Sequence, residues 1–226
     1  MMREFADEYL KLLEGEFAGI NLTRINSAEE FYNKQILDSV LPLEKSKLFL
    51  KELNRTGYLV DIGFGGGFPV LPLAASLPQI KFFGFDARAK KAEVVTLIAK
   101  KLKITNVKLY HLRFEEVIFD IPVIITLKAV GKIADILPSL KTTTNIFVFF
   151  YKGPNFYELE EIKSIEKDWE LVEEIFYDVP GTEGRTLLGF KNKNKNKNVL
   201  RGTINNKFIK FSQLLLGDFN NKEGIK

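Results

Sequence analysis

Cysteine does not occur in the 226-residue sequence, and histidine occurs once, at His111. The first absence removes disulfides, thiolate metal sites and cysteine nucleophiles together. The two absences leave no ligand set for zinc, so no metal is expected. Tryptophan is also single, against twenty phenylalanines, which predicts a Phe-rich core. No apolar run approaches the ~20 residues that span a bilayer. Met1-Met2-Arg3-Glu4-Phe5-Ala6-Asp7-Glu8 carries acids where a signal peptide would carry its apolar region. A cytoplasmic monomer with no membrane contact is expected. The charges nearly balance, 33 Lys+Arg against 29 Asp+Glu, which is compatible with nucleic acid without requiring it.

Apolar periodicity divides the chain into three regions, 1–56, 57–191 and 192–226. In the first, Phe5, Leu10, Leu13 and Phe17 share one face of an amphipathic helix over residues 4–17. Ser27 and Glu30 are spaced as a capping box, and the helix they open should end near Leu41, with Pro42 as its stop. From Tyr58 the pattern changes to strands alternating with helices. Strands are expected at Tyr58–Ile62, Lys81–Asp86, Val107–His111, Val123–Thr126 and Ile146–Tyr151, with a helix over Lys90–Leu102 between the second and third. Such alternation makes a mostly parallel, doubly wound α/β sheet. Glu170–Val179 and Thr186–Lys191 flank a Pro180–Arg185 turn too short for a crossover, so they must pair as an antiparallel hairpin. The third region opens on alternating Lys and Asn from Lys191 to Asn198, which cannot bury apolar surface and reads as a linker. Phe208, Ile209, Phe211, Leu214, Leu215 and Leu216 suit a short helix beyond it.

The chemistry is concentrated at Asp61-Ile62-Gly63-Phe64-Gly65-Gly66-Gly67, which ends the first strand and opens a helix. Gly63 and Gly65 allow a sharp turn and close approach to a ligand, and Gly67 removes a side chain where helix and strand meet. Free N–H groups at a helix start suit an anion such as a carboxylate. Phe68 stands where a dinucleotide fingerprint needs its third glycine, and no Lys-Ser/Thr follows for a phosphate loop. Asp86 ends the second strand, where an acid can accept hydrogen bonds from ribose hydroxyls. Phe114 and Glu115, just past the third strand, are candidates for the face and edge of an adenine. His111 reads as a sheet residue without a catalytic role. Five parallel strands closed by a hairpin is the chain order of class I S-adenosylmethionine-dependent methyltransferases, a Rossmann-like seven-stranded fold with helices at its N-terminal side. A dinucleotide-binding dehydrogenase would continue with βα units.

Several segments outside the loop carry a closer resemblance. Asn21-Leu22-Thr23, Gln35-Ile36-Leu37-Asp38-Ser39, the Asp61–Pro69 loop, and Asp86 with Lys90-Lys91 resemble the bacterial RsmG family, also called GidB, over roughly residues 20–190. The resemblance implies methylation of N7 of one guanosine in 16S ribosomal RNA, with S-adenosylmethionine as cofactor and the RNA or the small ribosomal subunit particle as partner. It implies cofactor contacts at Gly63, Phe68, Asp86, Phe114, Glu115 and Lys128, beside those read from Asp61, Gly65 and Gly67. At Lys128 the family usually has Arg in an I-S-R-A run, and at Lys34-Gln35 it often has Arg-His. Lys152-Gly153 and Arg185 match family positions.

Guanine N7 carries a lone pair and no proton, so transfer needs orientation and exclusion of water rather than a general base; no catalytic acid or base is expected. An Asn/Asp-Pro-Pro-aromatic loop for adenine N6 is absent at Thr126–Ala129. RNA contact is expected from Arg24, Lys34, Lys90, Lys91, Lys152 and Arg185, with Lys128 beside them. Two other functions fit the same residues: a class I methyltransferase of a protein or small molecule, and a cofactor-binding RNA-interaction module without activity.

Overall fold

The computed structural model describes residues 2–23, 25, 27–160, 162–193 and 208–216. Four N-terminal helices come first: α1 (Met2–Glu14), α2 (Ala28–Phe31), α3 (Asp38–Lys45) and α4 (Lys47–Thr56), with a π-helical segment, Tyr32–Leu37, joining α2 to α3. Then follow β1 (Tyr58–Ile62), α5 (Val70–Ser76), β2 (Lys81–Asp86), α6 (Ala89–Lys101), β3 (Val107–His111), β4 (Val117–Phe119) and β5 (Ile124–Lys128). The chain continues through α7 (Ile133–Ser139), β6 (Lys141–Thr142), β7 (Phe147–Lys152), α8 (Phe156–Leu159), β8 (Trp169–Tyr177) and β9 (Arg185–Asn192). It closes with β10 (Ile209–Lys210) and α9 (Phe211–Leu216).

Seven strands form one sheet in the order β3-β2-β1-β5-β7-β9-β8. The first five are parallel to one another, and β9 runs antiparallel to both β7 and β8. The expected parallel sheet with a terminal hairpin is therefore present. Both faces of β1, β2, β5 and β7 are buried, which is why they read as apolar runs rather than alternations, while β3 at the sheet edge is half-buried. Successive residues nonetheless face opposite ways. Leu59, Phe82, Ile124 and Phe149 enter a core shared with α1, α4, α5 and α6. Val60, Phe83, Ile125 and Phe150 enter a second core with α7, α8 and α9. Phenylalanine dominates both, as its count predicts.

Three local expectations need correction. Pro42 does not stop its helix: α3 runs to Lys45 with Pro42 inside it and buried. Tertiary packing outweighs the one N–H that proline removes. The first helix ends at Glu14 rather than near Phe17, although Phe17 is still buried. The capping box is half as expected: the Glu30 amide donates to Ser27 Oγ at 3.1 Å, but the Glu30 carboxylate pairs with Lys34 one turn on.

A small parallel sheet, β10-β4-β6, lies outside the main one. It brings residues 208–216 onto the fold, with Phe211 fully buried against Phe83 and Phe119. Asp120 fixes this segment by accepting from the Ser212 amide at 2.9 Å and the Ser212 hydroxyl at 2.6 Å. Asp120→Ala should cost about 1 kcal/mol and speed amide hydrogen exchange at Phe211 and Ser212 ahead of the rest of the domain. Unchanged exchange there would mean that apolar packing alone holds the segment.

Candidate active site

A cleft of about 840 Å³ opens at the carboxyl ends of β1, β2, β5 and β7. The chain turns from β1–β2 to β5 here, and open α/β sheets bind ligands at such a switch point. The glycine loop forms one wall. Gly63, Gly65 and Gly67 have φ of 71°, 55° and 91°, a region that only glycine enters freely. A Cβ on Gly65 would meet only Gly63 O at 3.8 Å and Lys91 Nζ at 3.9 Å, so the space above Gly65 belongs to the cleft. Gly66 is closed from behind: a Cβ there would lie 2.6 Å from Leu22 O. The Tyr9 hydroxyl donates to Gly66 O. The Asn21-Leu22-Thr23 segment and α1 thus brace the loop, which explains why residues so far from the glycines belong with them.

Asp86 ties the second wall to the first. Its Oδ2 accepts from the Gly65 amide and its Oδ1 from the Arg88 amide, each at 2.9 Å. Each oxygen keeps a second lone pair, and Asp86 lines the cleft. Phe68 lines the same wall, stacked on Tyr9 with centroids 5.2 Å apart.

Asp61 lies under the loop, fully buried, and does not line the cleft. The Thr126 hydroxyl, opposite it on β5, donates to Oδ1 at 2.9 Å, while Oδ2 makes no hydrogen bond of full geometry. Burial pushes the Asp61 carboxyl up to about 8, against smaller opposing pulls from Thr126, the Val70 amide and Lys128. Because this value lies above that of the unfolded chain, the contribution to stability is complete below about pH 4 and is lost as pH rises through about 8. Asp61→Asn mimics the neutral form. Its melting temperature should match wild type near pH 4 and exceed it increasingly up to about pH 9. A constant difference across that range would contradict the raised value.

The third wall joins the N-terminal helices to the sheet. Asp38, 1% exposed, accepts from the Tyr177 hydroxyl at 3.0 Å and pairs with Lys128 Nζ at 2.8 Å and Arg185 Nε at 3.6 Å. Lys128 also donates to Lys34 O at 2.7 Å. Burial lowers the Lys128 pKa, and Asp38 is the main influence raising it again. Tyr151, whose hydroxyl donates to Ser39 O at 3.2 Å, lines the cleft above this group.

The cleft brings together Gly63, Gly65, Phe68, Asp86, Lys34, Lys91, Lys128, Lys152 and Arg185 of the expected residues. Gly67 and Lys90 do not line it, nor do Phe114, buried in the second core, and the exposed Glu115. Arg24 lies outside the described residues. Lys152 is partly spent inside the protein: it pairs with the buried Glu160 and donates to Gly131 O at 3.1 Å. Asp38, Tyr151, Tyr177 and Arg88 are the site residues that sequence reasoning did not single out. For Asp38 the signal was present in Ile36-Leu37-Asp38-Ser39, since an acid inside an apolar helical face needs a buried partner.

Strand order, a glycine loop leaving β1 and an acid ending β2 together define a class I S-adenosylmethionine-dependent methyltransferase fold. Among solved structures, the mitomycin 7-O-methyltransferase MmcR is similar in fold, with a TM-score of 0.53 and 12% identity over 81% of this chain and 60% of that chain. The profile of the GidB family, rRNA small subunit methyltransferase G, matches residues 2–188. The ribosomal RNA small subunit methyltransferase G of Petrotoga mobilis is 33% identical over 172 residues, 71% of this chain and 73% of that protein. The protein of the same name from Malacoplasma penetrans is 30% identical over 200 residues, 84% and 81% of the two chains. A Streptococcus pyogenes relative is 36% identical over 114 residues, 50% of this chain and 46% of its own. The chain belongs to the GidB family.

Proposed function

We propose that this chain methylates N7 of a guanosine in 16S ribosomal RNA, using S-adenosylmethionine. The observation that carries the reading is a cation-rimmed cleft over an open glycine turn at the sheet's switch point. Family membership adds the kind of substrate. When bound, S-adenosylmethionine supplies an electrophilic methyl group on a sulfonium.

The residues present fit that cofactor. The free space over Gly65, together with the Gly63 turn, takes a chain that must pass close to backbone. Asp86, with lone pairs left over, receives the ribose hydroxyls. Asp61 lies beneath the loop as a carboxyl that a nearby positive charge would favour in its ionised form. Phe68 contributes an apolar wall, and Gly67 lets the loop settle on α1 and α6. Phe114 and Glu115 follow β3, beyond Asp86, and are assigned to the adenine end.

The chain's part in the reaction is positioning. The target nitrogen gives up no proton, so Asp86 in the cleft and Asp61 beneath the loop hold groups in place rather than move protons. Lys34, Lys91, Lys152 and Arg185, which line the cleft, are assigned to RNA phosphates, and Lys90 and the sequence-level candidate Arg24 are assigned with them. Binding should therefore weaken as salt rises. Mass spectrometry of small-subunit rRNA from cells with and without the gene tests the reading. Loss of one 7-methylguanosine supports it. Unchanged rRNA would instead favour a protein or small-molecule substrate, or a cofactor-binding module without activity.

A further inference from the structure

We infer that Asp38 is a positioning residue for RNA binding, which orients Arg185 across the cleft by clamping it and Lys128 to the N-terminal helices. The inference rests on the RNA-methylation reading above. A buried carboxylate without partners would be costly, yet Asp38 has three, from the ends of β5, β8 and β9. It is the point where the N-terminal helical region meets all three strands.

The backbone around it is shaped for this. The π-helical Tyr32–Leu37 segment immediately precedes Asp38. Such a widened turn is uncommon and frequent at functional sites. It presents Lys34 O to Lys128 Nζ at 2.7 Å. Lys128 then has both a carboxylate and a carbonyl inside the protein, with its side chain only 14% exposed. It is a fastener between helix and sheet, with little left to offer a ligand.

Arg185 is different. Its contact with Asp38 is an ion pair, with Nε 3.6 Å from Oδ1. Its guanidinium N–H groups have no hydrogen-bond partner among the described residues, and Nη1 lies beside Gly153 at the cleft. One carboxylate faces two cations, leaving a positive surplus directed at the opening. A planar fork drawn toward a buried carboxylate on its Nε side is biased to present its other edge to a phosphate, a bidentate geometry that a lysine cannot offer.

The test is labelled-methyl transfer to 16S rRNA and to small-subunit particles lacking the modification, with cofactor affinity measured in parallel by S-adenosylhomocysteine calorimetry. Asp38→Asn should raise the KM for RNA at least about tenfold and leave the S-adenosylhomocysteine Kd within about threefold. Adding Arg185→Lys to Asp38→Asn should bring no further loss, because both act on one contact. Adding Lys91→Ala, across the cleft, should multiply the effects. A normal RNA KM in folded Asp38→Asn, or a cofactor affinity that falls in step with RNA, overturns the inference. If Asp38→Asn does not fold, Arg185→Lys alone decides: it keeps the charge and loses the Nε clamp, so an unchanged RNA KM overturns the inference and a raised one supports it. An inactive wild-type chain would remove the functional reading and this inference with it. An active wild type beside a normal Asp38→Asn would remove this inference only.

Discussion

Gly63→Val is expected to abolish measurable cofactor binding, with a loss of at least about 100-fold in affinity. Two effects combine. Gly63 sits at φ of 71°, where a β-branched residue costs ~1–3 kcal/mol. A Cβ there would also lie 2.6 Å from Val130 Cγ2, on the loop that follows β5 and forms another side of the cleft. The turn cannot easily swing away, because the Gly63 amide is held by Phe85 O at 2.7 Å. The loop or Val130 must therefore move into ligand space. Gly57→Ala provides the control. Gly57 has the same φ of 71° but open space around its Cβ and a place at the end of α4. It should lower stability by about 1 kcal/mol and leave the cofactor affinity alone. Calorimetry with S-adenosylhomocysteine on both variants separates strain from the site; retained affinity in Gly63→Val would mean that the loop does not hold the ligand.

Asp86→Ala is expected to weaken cofactor binding by about 100-fold or more, equivalent to ~3 kcal/mol. The carboxylate does two jobs at once. It fixes the Gly65 and Arg88 amides, each at 2.9 Å, and in the proposed complex it accepts the ribose hydroxyls. Removing it leaves two backbone donors without an acceptor, at about 1 kcal/mol or more each, so the empty protein should also melt at a lower temperature. Asp86→Asn should fall between, because one oxygen remains to accept while the amide nitrogen cannot. If Asp86→Ala lowered stability but bound cofactor normally, Asp86 would be a turn residue and nothing more.

The strands that build the site were legible because each is a run of five or six residues, mostly apolar or, in Val107–His111, alternating, bounded by turn residues. Tyr58–Ile62, Lys81–Asp86 and Val107–His111 coincide with β1, β2 and β3. The glycine loop was legible for a similar reason, since its chemistry is local. What escaped was non-local. β4, β6 and β10 have two or three residues each, too few to show a period of two, and they exist only because they find one another. Asp38 and Tyr177 stand 139 residues apart, and nothing in either segment names the other. Lys152 has a partner inside the protein that its own segment does not announce, because Glu160 folds back onto it. Phe114 and Glu115 follow β3 as expected, yet the 3-10 turn they form sends the ring into the second core.

The central claim is methyl transfer to N7 of a guanosine, and one reconstitution tests it most directly. Purified chain is incubated with methyl-labelled S-adenosylmethionine and small-subunit particles, or 16S rRNA, lacking the modification. The RNA is then digested and analysed by mass spectrometry. The account predicts one labelled oligonucleotide carrying 7-methylguanosine, with no label when Gly63→Val replaces the wild type. Label on another base or another atom, or no transfer by a chain that binds the cofactor, would contradict it.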